Sequence, residues 1–152
     1  MQQLMVGEHQ LGTATLVSRG SLTAPTTDTL KAALYLASAT INASTTAYSA
    51  TNEVSGNNYT AGGITVTNAT APSSTNTSAT AGVAFFTPSA SLIYTNVTLT
   101  TAFDCVLLYN STQSNKAISV HTFGSQTITA GTFTLTMPAN TTAAALIRLA
   151  TT

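Results

Sequence analysis

The chain has 152 residues, of which only eight are charged: four Lys or Arg and four Asp or Glu, for a formal net charge of zero. Threonine and serine together fill nearly a third of it. A typical globular domain carries about a quarter charged residues. At 5% charged, this chain offers little material for acid–base chemistry, and its zero balance gives no electrostatic footing for nucleic acid or an anionic membrane.

The length suits one domain. With 43% hydrophobic residues, the chain has enough apolar material for a core and the wrong balance for disorder. Threonine beside valine, isoleucine and aromatic residues suits a pleated, half-buried surface. A net charge near zero also does little to keep copies apart. The composition thus predicts a β-rich protein with a hydroxyl-rich exterior that lives in an assembly. Residues 1–9 lack the basic start and apolar stretch of a signal peptide. No apolar run approaches the roughly 20 residues of a membrane span. The expectation is synthesis in a cytoplasm without export by the ordinary secretory route.

Residues 1–27 read as an N-terminal arm or an edge strand of the main fold, and 28–152 as the core domain. The arm mixes small polar residues with isolated apolar ones, among them Leu4, Met5, Val6, Leu11 and Leu16. A short strand is expected at 13–18. From Asp28 a period of two begins, with Leu30, Ala32, Leu34 and Leu36 on one face and Lys31, Ala33 and Tyr35 on the other. A helix capped by Asp28 competes, but the run is short and dissolves at Ser38, so a strand is preferred. Gly62-Gly63 marks a turn before the alternation of Ile64 and Val66 with threonines. Residues 68–81 read as a long loop, and 83–86 as a strand stopped before Pro88.

In the second half, Ile93, Val97 and Leu99 alternate with polar residues. The nearly continuous apolar run 103–109 predicts a central strand with both faces covered. Residues 110–116 read as a turn. Ile118 and Val120 alternate until Gly124-Ser125 breaks the run. Phe133, Leu135 and Met137 point inward, with Thr132, Thr134 and Thr136 outward. A last strand is expected at 145–149. Seven to nine short strands of this kind predict an all-β, antiparallel β-sandwich or jelly-roll-like barrel with an extended N-terminal arm.

The chemistry-bearing residues are scattered. Glu8, Asp28, Glu53 and Asp104 form no local carboxylate pair. His9 and His121 lack metal-ligand spacing. His121 with Asp104 and a serine resembles a triad only in residue type, and no Gly-x-Ser-x-Gly turn is present. Cys105, the single cysteine, lies in an apolar run and reads as a small, reduced core residue. The sequence therefore predicts no enzyme, no cofactor and no metal. Asn-x-Ser/Thr sequons such as that at Asn42 reflect composition, and the Thr-x-Thr units follow no fixed period.

Residues 46–63 contain Tyr48, Glu53-Val-Ser-Gly56, then Tyr59-Thr-Ala-Gly62-Gly63. This segment resembles a motif of tailed-bacteriophage virion proteins, where it follows a strand similar to residues 31–35. Leu108-Tyr109-Asn110-Ser111-Thr112, Phe123-Gly124, Gly131-Thr132-Phe133-Thr134 and Pro138 recur there in the same order. The resemblance spans roughly residues 28–150 and leaves the arm outside. Glycines at 56, 62 and 63 permit tight turns. Tyr48 and Tyr59 read as packing anchors, and Glu53 as an acceptor for turn amides, so these are framework roles. The resemblance implies a virion component, either a capsid decoration (cement) protein on the head shell or a tail or fibre component that touches the host. Its implied partners are the major capsid protein and copies of itself, as a homotrimer, with neither nucleic acid nor membrane. Leu4, Met5, Val6, Leu11 and Leu16 are the expected contacts with the shell or a neighbouring copy.

Overall fold

The structure, a computed structural model, describes residues 28–67, 72–75, 82–89 and 91–150. The expected strand at 13–18 and the five apolar arm residues lie outside the described residues. Among those described there is no helix. Seven strands occur in chain order: β1 (Leu30–Leu36), β2 (Ile64–Val66), β3 (Ser73–Ser74), β4 (Val83–Phe86), β5 (Ser91–Asn110), β6 (Lys116–Thr136) and β7 (Ile147–Ala150). All pairings are antiparallel. One sheet has the order β2-β1-β5-β6, and a second the order β3-β4-β7. The fold is all-β.

The alternation read in β1 places its two faces in two cores. Leu30, Ala32 and Leu34 enter the larger one with Val97, Leu99, Phe103, Val106 and Leu108, and Leu36 packs against it. Phe86 of β4 is buried in this cluster and Ile147 of β7 packs on it, so the small sheet contributes to the same core. Ala33 and Tyr35 face a smaller cluster with Cys105, Leu107, Tyr109 and Ala117, overlaid by Ala39, Ile41 and Tyr48. Both faces of β1 and of the 103–109 run are thereby covered, and Leu30, Leu34, Phe103 and Leu107 are fully buried. Each such side chain contributes roughly 1.5–3 kcal/mol of hydrophobic stabilisation.

Several sequence expectations are corrected. The strands are not uniformly short: β5 has 20 residues and β6 has 21. Gly124-Ser125 does not end a strand, because β6 runs through it and irregular pairing between Cys105 and Phe103 absorbs the extra residues. Ile93 does not share a face with Val97 and Leu99. Asn96 takes a left-handed φ of 51°, the register shifts between Tyr94 and Val97, and the inward residues before the bulge are Leu92 and Tyr94. Ile93 is left 51% exposed.

Ile118 and Val120 do not share one core either. The register slips between Leu108 and Tyr109, so Ile118 enters the large cluster while Val120 packs on the small one. A bulge inserts one unpaired residue and flips the facing of the residues beyond it. The expected loop at 68–81 contains β3, which pairs with β4. The last strand begins at Ile147 rather than at residue 145. Phe133, Leu135 and Met137 pack against the large core as expected, with Phe133 edge-on to Phe103 at 5.1 Å.

Candidate functional site

The segment 46–63 crosses from one side of the sheet to the other. Val54 N–H donates to the Leu34 carbonyl (3.0 Å) and Leu36 N–H to the Asn52 carbonyl (3.0 Å), which fastens the segment along β1. It then reaches β5 beyond the end of β1, where Thr98 N–H donates to the Asn57 carbonyl (3.0 Å). Asn58 Nδ2 donates to the Asn96 carbonyl at 2.8 Å, in the β5 bulge.

Glycine is required at two of these approaches. A Cβ on Gly56 would stand 1.9 Å from the Thr98 carbonyl oxygen, and one on Gly63 would stand 1.8 Å from that of Ala32. Gly63 also has a φ of 74°, where a side chain is strained regardless of space.

Glu53 is the centre of the segment. Its Oε2 accepts the Tyr48 hydroxyl at 2.6 Å. Its Oε1 accepts the Tyr59 hydroxyl and the Gly62 N–H, both at 2.8 Å. The Tyr59 hydroxyl in turn accepts Leu34 N–H at 3.0 Å, and the Tyr109 hydroxyl donates to the Gly62 carbonyl at 2.8 Å. Tyr48 stacks on Tyr109 with ring centroids 4.7 Å apart. The structure thus brings Tyr48, Glu53, Tyr59 and Gly62 into one hydrogen-bonded clasp, with Gly56 and Gly63 as its two close-contact points.

Burial first, then the Glu53 hydrogen bond and charge, raises Tyr48. Tyr59 is raised chiefly by burial, against the Leu34 amide, with Glu53 adding to it. Tyr35, whose hydroxyl donates to the Ser49 carbonyl at 2.6 Å, is pushed up to about 12, again mainly by burial. These phenols stay protonated and serve as donors. The Glu53 carboxylate accepts all three donors within the segment.

A second acid fastens the start of the described chain. Asp28 is buried; its Oδ2 accepts Asn110 Nδ2 at 2.6 Å and its Oδ1 accepts Gln113 Nε2 at 3.2 Å. Asn110 Oδ1 meanwhile accepts the N–H groups of Thr112 and Gln113. Sequence reading missed this bond. The only local sign was Asn110 opening a Ser-Thr-Gln-Ser turn.

The remaining ionisable groups among the described residues form no metal or catalytic cluster. His121 Nε2 lies 3.0 Å from Ser119 Oγ on the same strand, and burial lowers its pKa. No hydrogen bond or ion pair among the described residues joins His121 to Asp104. Cys105 is buried and free, and burial pushes its thiol up to about 11. Among the described residues no group of three His, Cys, Asp or Glu forms a metal site. A groove of about 620 Å³ lies between residues 41–46 and the start of β6. Its lining, with Ile41, Asn42, Ser44, Thr45, Ser119 and Val120, is made of small, hydroxyl and aliphatic groups and one side-chain amide. No family model, curated protein or solved structure matches this chain.

Proposed function

We propose that this chain is a structural component of a bacteriophage particle: a capsid decoration (cement) protein that binds the outer head shell and stabilises contacts between major capsid subunits. In this reading it is a homotrimer, and its two sheets form a β-sandwich whose shared core includes Phe86, Leu92, Tyr94 and Ile147. One observation carries the reading. Within the stretch 46–63 that resembles the tailed-phage motif, Tyr48, Glu53, Tyr59 and Gly62 meet in the Glu53 clasp. They hold the loop against β1 and β5, which is a framework role suited to a particle component. The near absence of charge supports it further, because a hydroxyl-rich exterior favours association.

The mechanism is mass action. A protein that binds only the assembled shell stabilises it by its binding free energy, and many symmetry-related copies add avidity. Leu4, Met5, Val6, Leu11 and Leu16 remain the proposed contacts with the shell or a neighbouring copy.

The test is to mix purified protein with phage heads that lack it and with host cells, then follow co-sedimentation and image the particles. Decoration of heads at symmetry-related positions is expected. Adsorption to cells without binding to heads would favour a tail or fibre component. Binding to neither would end the virion reading.

A further inference from the structure

The larger sheet ends in β6 and the smaller one in β7. The start of β6 is covered: Ala117 N–H donates to the Thr46 carbonyl and Tyr48 N–H to the Asn115 carbonyl, both at 2.9 Å. Beyond Ala117, no described residue outside β5 and β6 bonds to the β6 backbone. Residues 117–136 contain no Lys, Arg, Asp, Glu or Pro. Natural proteins blunt free edges by shortness, charge, proline or bulges, and β6 has only the last. The groove of about 620 Å³ lies where this cover stops, with Ser119, Val120 and Thr122 on one wall and Ile41, Ala43 and Ser44 on the other. Its lining carries no charge. A groove beside a free strand edge suits one more strand: backbone hydrogen bonds hold it, and alternate side chains enter the groove.

A second feature indicates which strand. Among the described residues two large apolar side chains are exposed, Ile93 at 51% and Leu149 at 69%. Ile93 lies within the β5–β6 pair, opposite Thr134. Leu149 lies on β7, which pairs with β4 and is the edge of its sheet. By alternation Leu149 shares a face with Ile147, which packs on the large core, yet Leu149 stands outside that core. Arg148, the one charge of β7, falls on the other face. The four residues of β7 rise about 13 Å, the length of residues 119–122 beside the groove. Within its own chain β7 is held by β4 along all four residues and is not a neighbour of β6. The strand that fits β6 is therefore the β7 of a second copy. Such a contact joins unlike patches, and heterologous contacts of this kind close into rings.

We propose that β7 of one copy adds to the outer edge of β6 of the next, along residues 119–122, and that its Leu149 enters the groove beside Ile41 and Val120. The uncharged lining receives the apolar side chain, and Arg148 stays on the opposite face. The contact rests on the homotrimer reading above for the number of copies in the ring and for nothing else.

Cross-linking of the full chain tests it. Leu149→Cys chains labelled with heavy isotopes are mixed with light chains carrying Ser44→Cys or Thr122→Cys, and the mixture is oxidised. Disulfides are expected between heavy and light chains, joining position 149 to 44 or to 122, because a disulfide forms only where the two side chains meet. Bonds joining two copies through position 122 alone would show β6 pairing with β6, and would overturn the proposal. The absence of any bond from position 149 overturns it equally. In a second arm, Leu149→Lys is expected to weaken self-association at least about tenfold in sedimentation, while the Leu34 and Leu107 amides keep the slow hydrogen exchange of a folded core. Unchanged association of this variant overturns the contact. Light scattering separates the contact from the copy number. A bond from position 149 in a ring of another size supports the contact and corrects the trimer. An unmodified chain that stays monomeric at micromolar concentration overturns the contact even where heads bind it, so co-sedimentation judges the virion reading separately.

Discussion

Glu53 receives the hydroxyls of Tyr48 and Tyr59 on separate carboxylate oxygens, at 2.6 and 2.8 Å. One carboxylate therefore ties two aromatic side chains and, through the Gly62 N–H at 2.8 Å, a tight turn. Glu53→Gln keeps one acceptor oxygen and turns the other into a donor facing a hydroxyl. The expected loss is about 1–2 kcal/mol, at the lower end for bonds to a charged group because the site is partly exposed. Tyr59→Phe is expected to cost about 1–3 kcal/mol, since it also strips the Leu34 N–H of its acceptor. Urea unfolding of the two variants measures both, and an unchanged midpoint for either would show that the clasp is dispensable.

The glycines give a graded comparison. Gly56→Ala drives a methyl into the Thr98 carbonyl and Gly63→Ala into that of Ala32, with backbone on the receiving side in both cases. Neither contact is relieved by a side-chain rotation, so a loss of roughly 3 kcal/mol or more is expected, enough to unfold a marginal domain. Gly124→Ala meets nothing within 4 Å and lies inside a strand. It is expected to be neutral or to stabilise by about 0.5–1 kcal/mol through a less free unfolded chain. Thermal melts of the three proteins should separate the first two from the third.

These glycines show what was legible in the sequence. The Gly62-Gly63 turn, the two faces of β1 and the doubly covered 103–109 run are consequences of local pattern, because each is a matter of period and backbone freedom. The bulges were not legible. Asn96 and Ala130 adopt φ of 51° and 48°, conformations that no local pattern around these non-glycine residues announces. Each parity flip then moves its neighbours, as with Ile93 and Val120. Gly124-Ser125 misled because glycine in a strand marks a bulge as readily as an end. The partners of Glu53 and Asp28 were hidden for another reason. Asn110 is 82 residues from Asp28, and such pairing exists only once the sheet has formed.

Stability is expected to fall at both ends of the pH scale. Tyr35 is raised to about 12, and Tyr48, Tyr59, Tyr94 and Tyr109 are raised as well, mainly by burial. The unfolded chain loses these protons near pH 10 and the folded chain later. The stabilisation is therefore intact below about pH 10 and is lost as pH rises towards 12. His121 has the opposite sense. Burial lowers its pKa, so its contribution is present above about pH 6.5 and declines as pH falls below that value. Urea unfolding across this range checks both limbs. His121→Gln should flatten the acid limb alone, and an unaltered acid limb would mean that the imidazole is not protected by the fold.

Cys105 is 4% exposed and its thiol is pushed up to about 11. Since the thiolate is the reactive form, labelling of the native protein at neutral pH is expected to be slow and limited by opening of the fold. Labelling in denaturant should be fast. Rapid native labelling by a thiol reagent would place Cys105 at an accessible surface and contradict its position in the smaller core with Tyr35 and Tyr109.

Under the virion reading, shell binding should depend little on salt. Of the six charged residues described, Asp28 and Glu53 are already engaged by hydrogen bonds within the fold, so few charges remain for any ionic contact. Raising ionic strength from about 0.1 to about 1 M shortens the screening length from about 10 to about 3 Å. That removes most of the attraction between exposed charges and leaves apolar and hydroxyl contacts intact. Sulfate, which is excluded from protein surfaces, strengthens burial. Head co-sedimentation is therefore expected to change less than about threefold with sodium chloride and to tighten with sodium sulfate, with light scattering reporting a trimer throughout. A loss of more than about tenfold, or roughly 1.4 kcal/mol, on raising sodium chloride would show that a few charges govern the contact. The hydroxyl-rich surface would then no longer explain how copies of this chain hold to a particle.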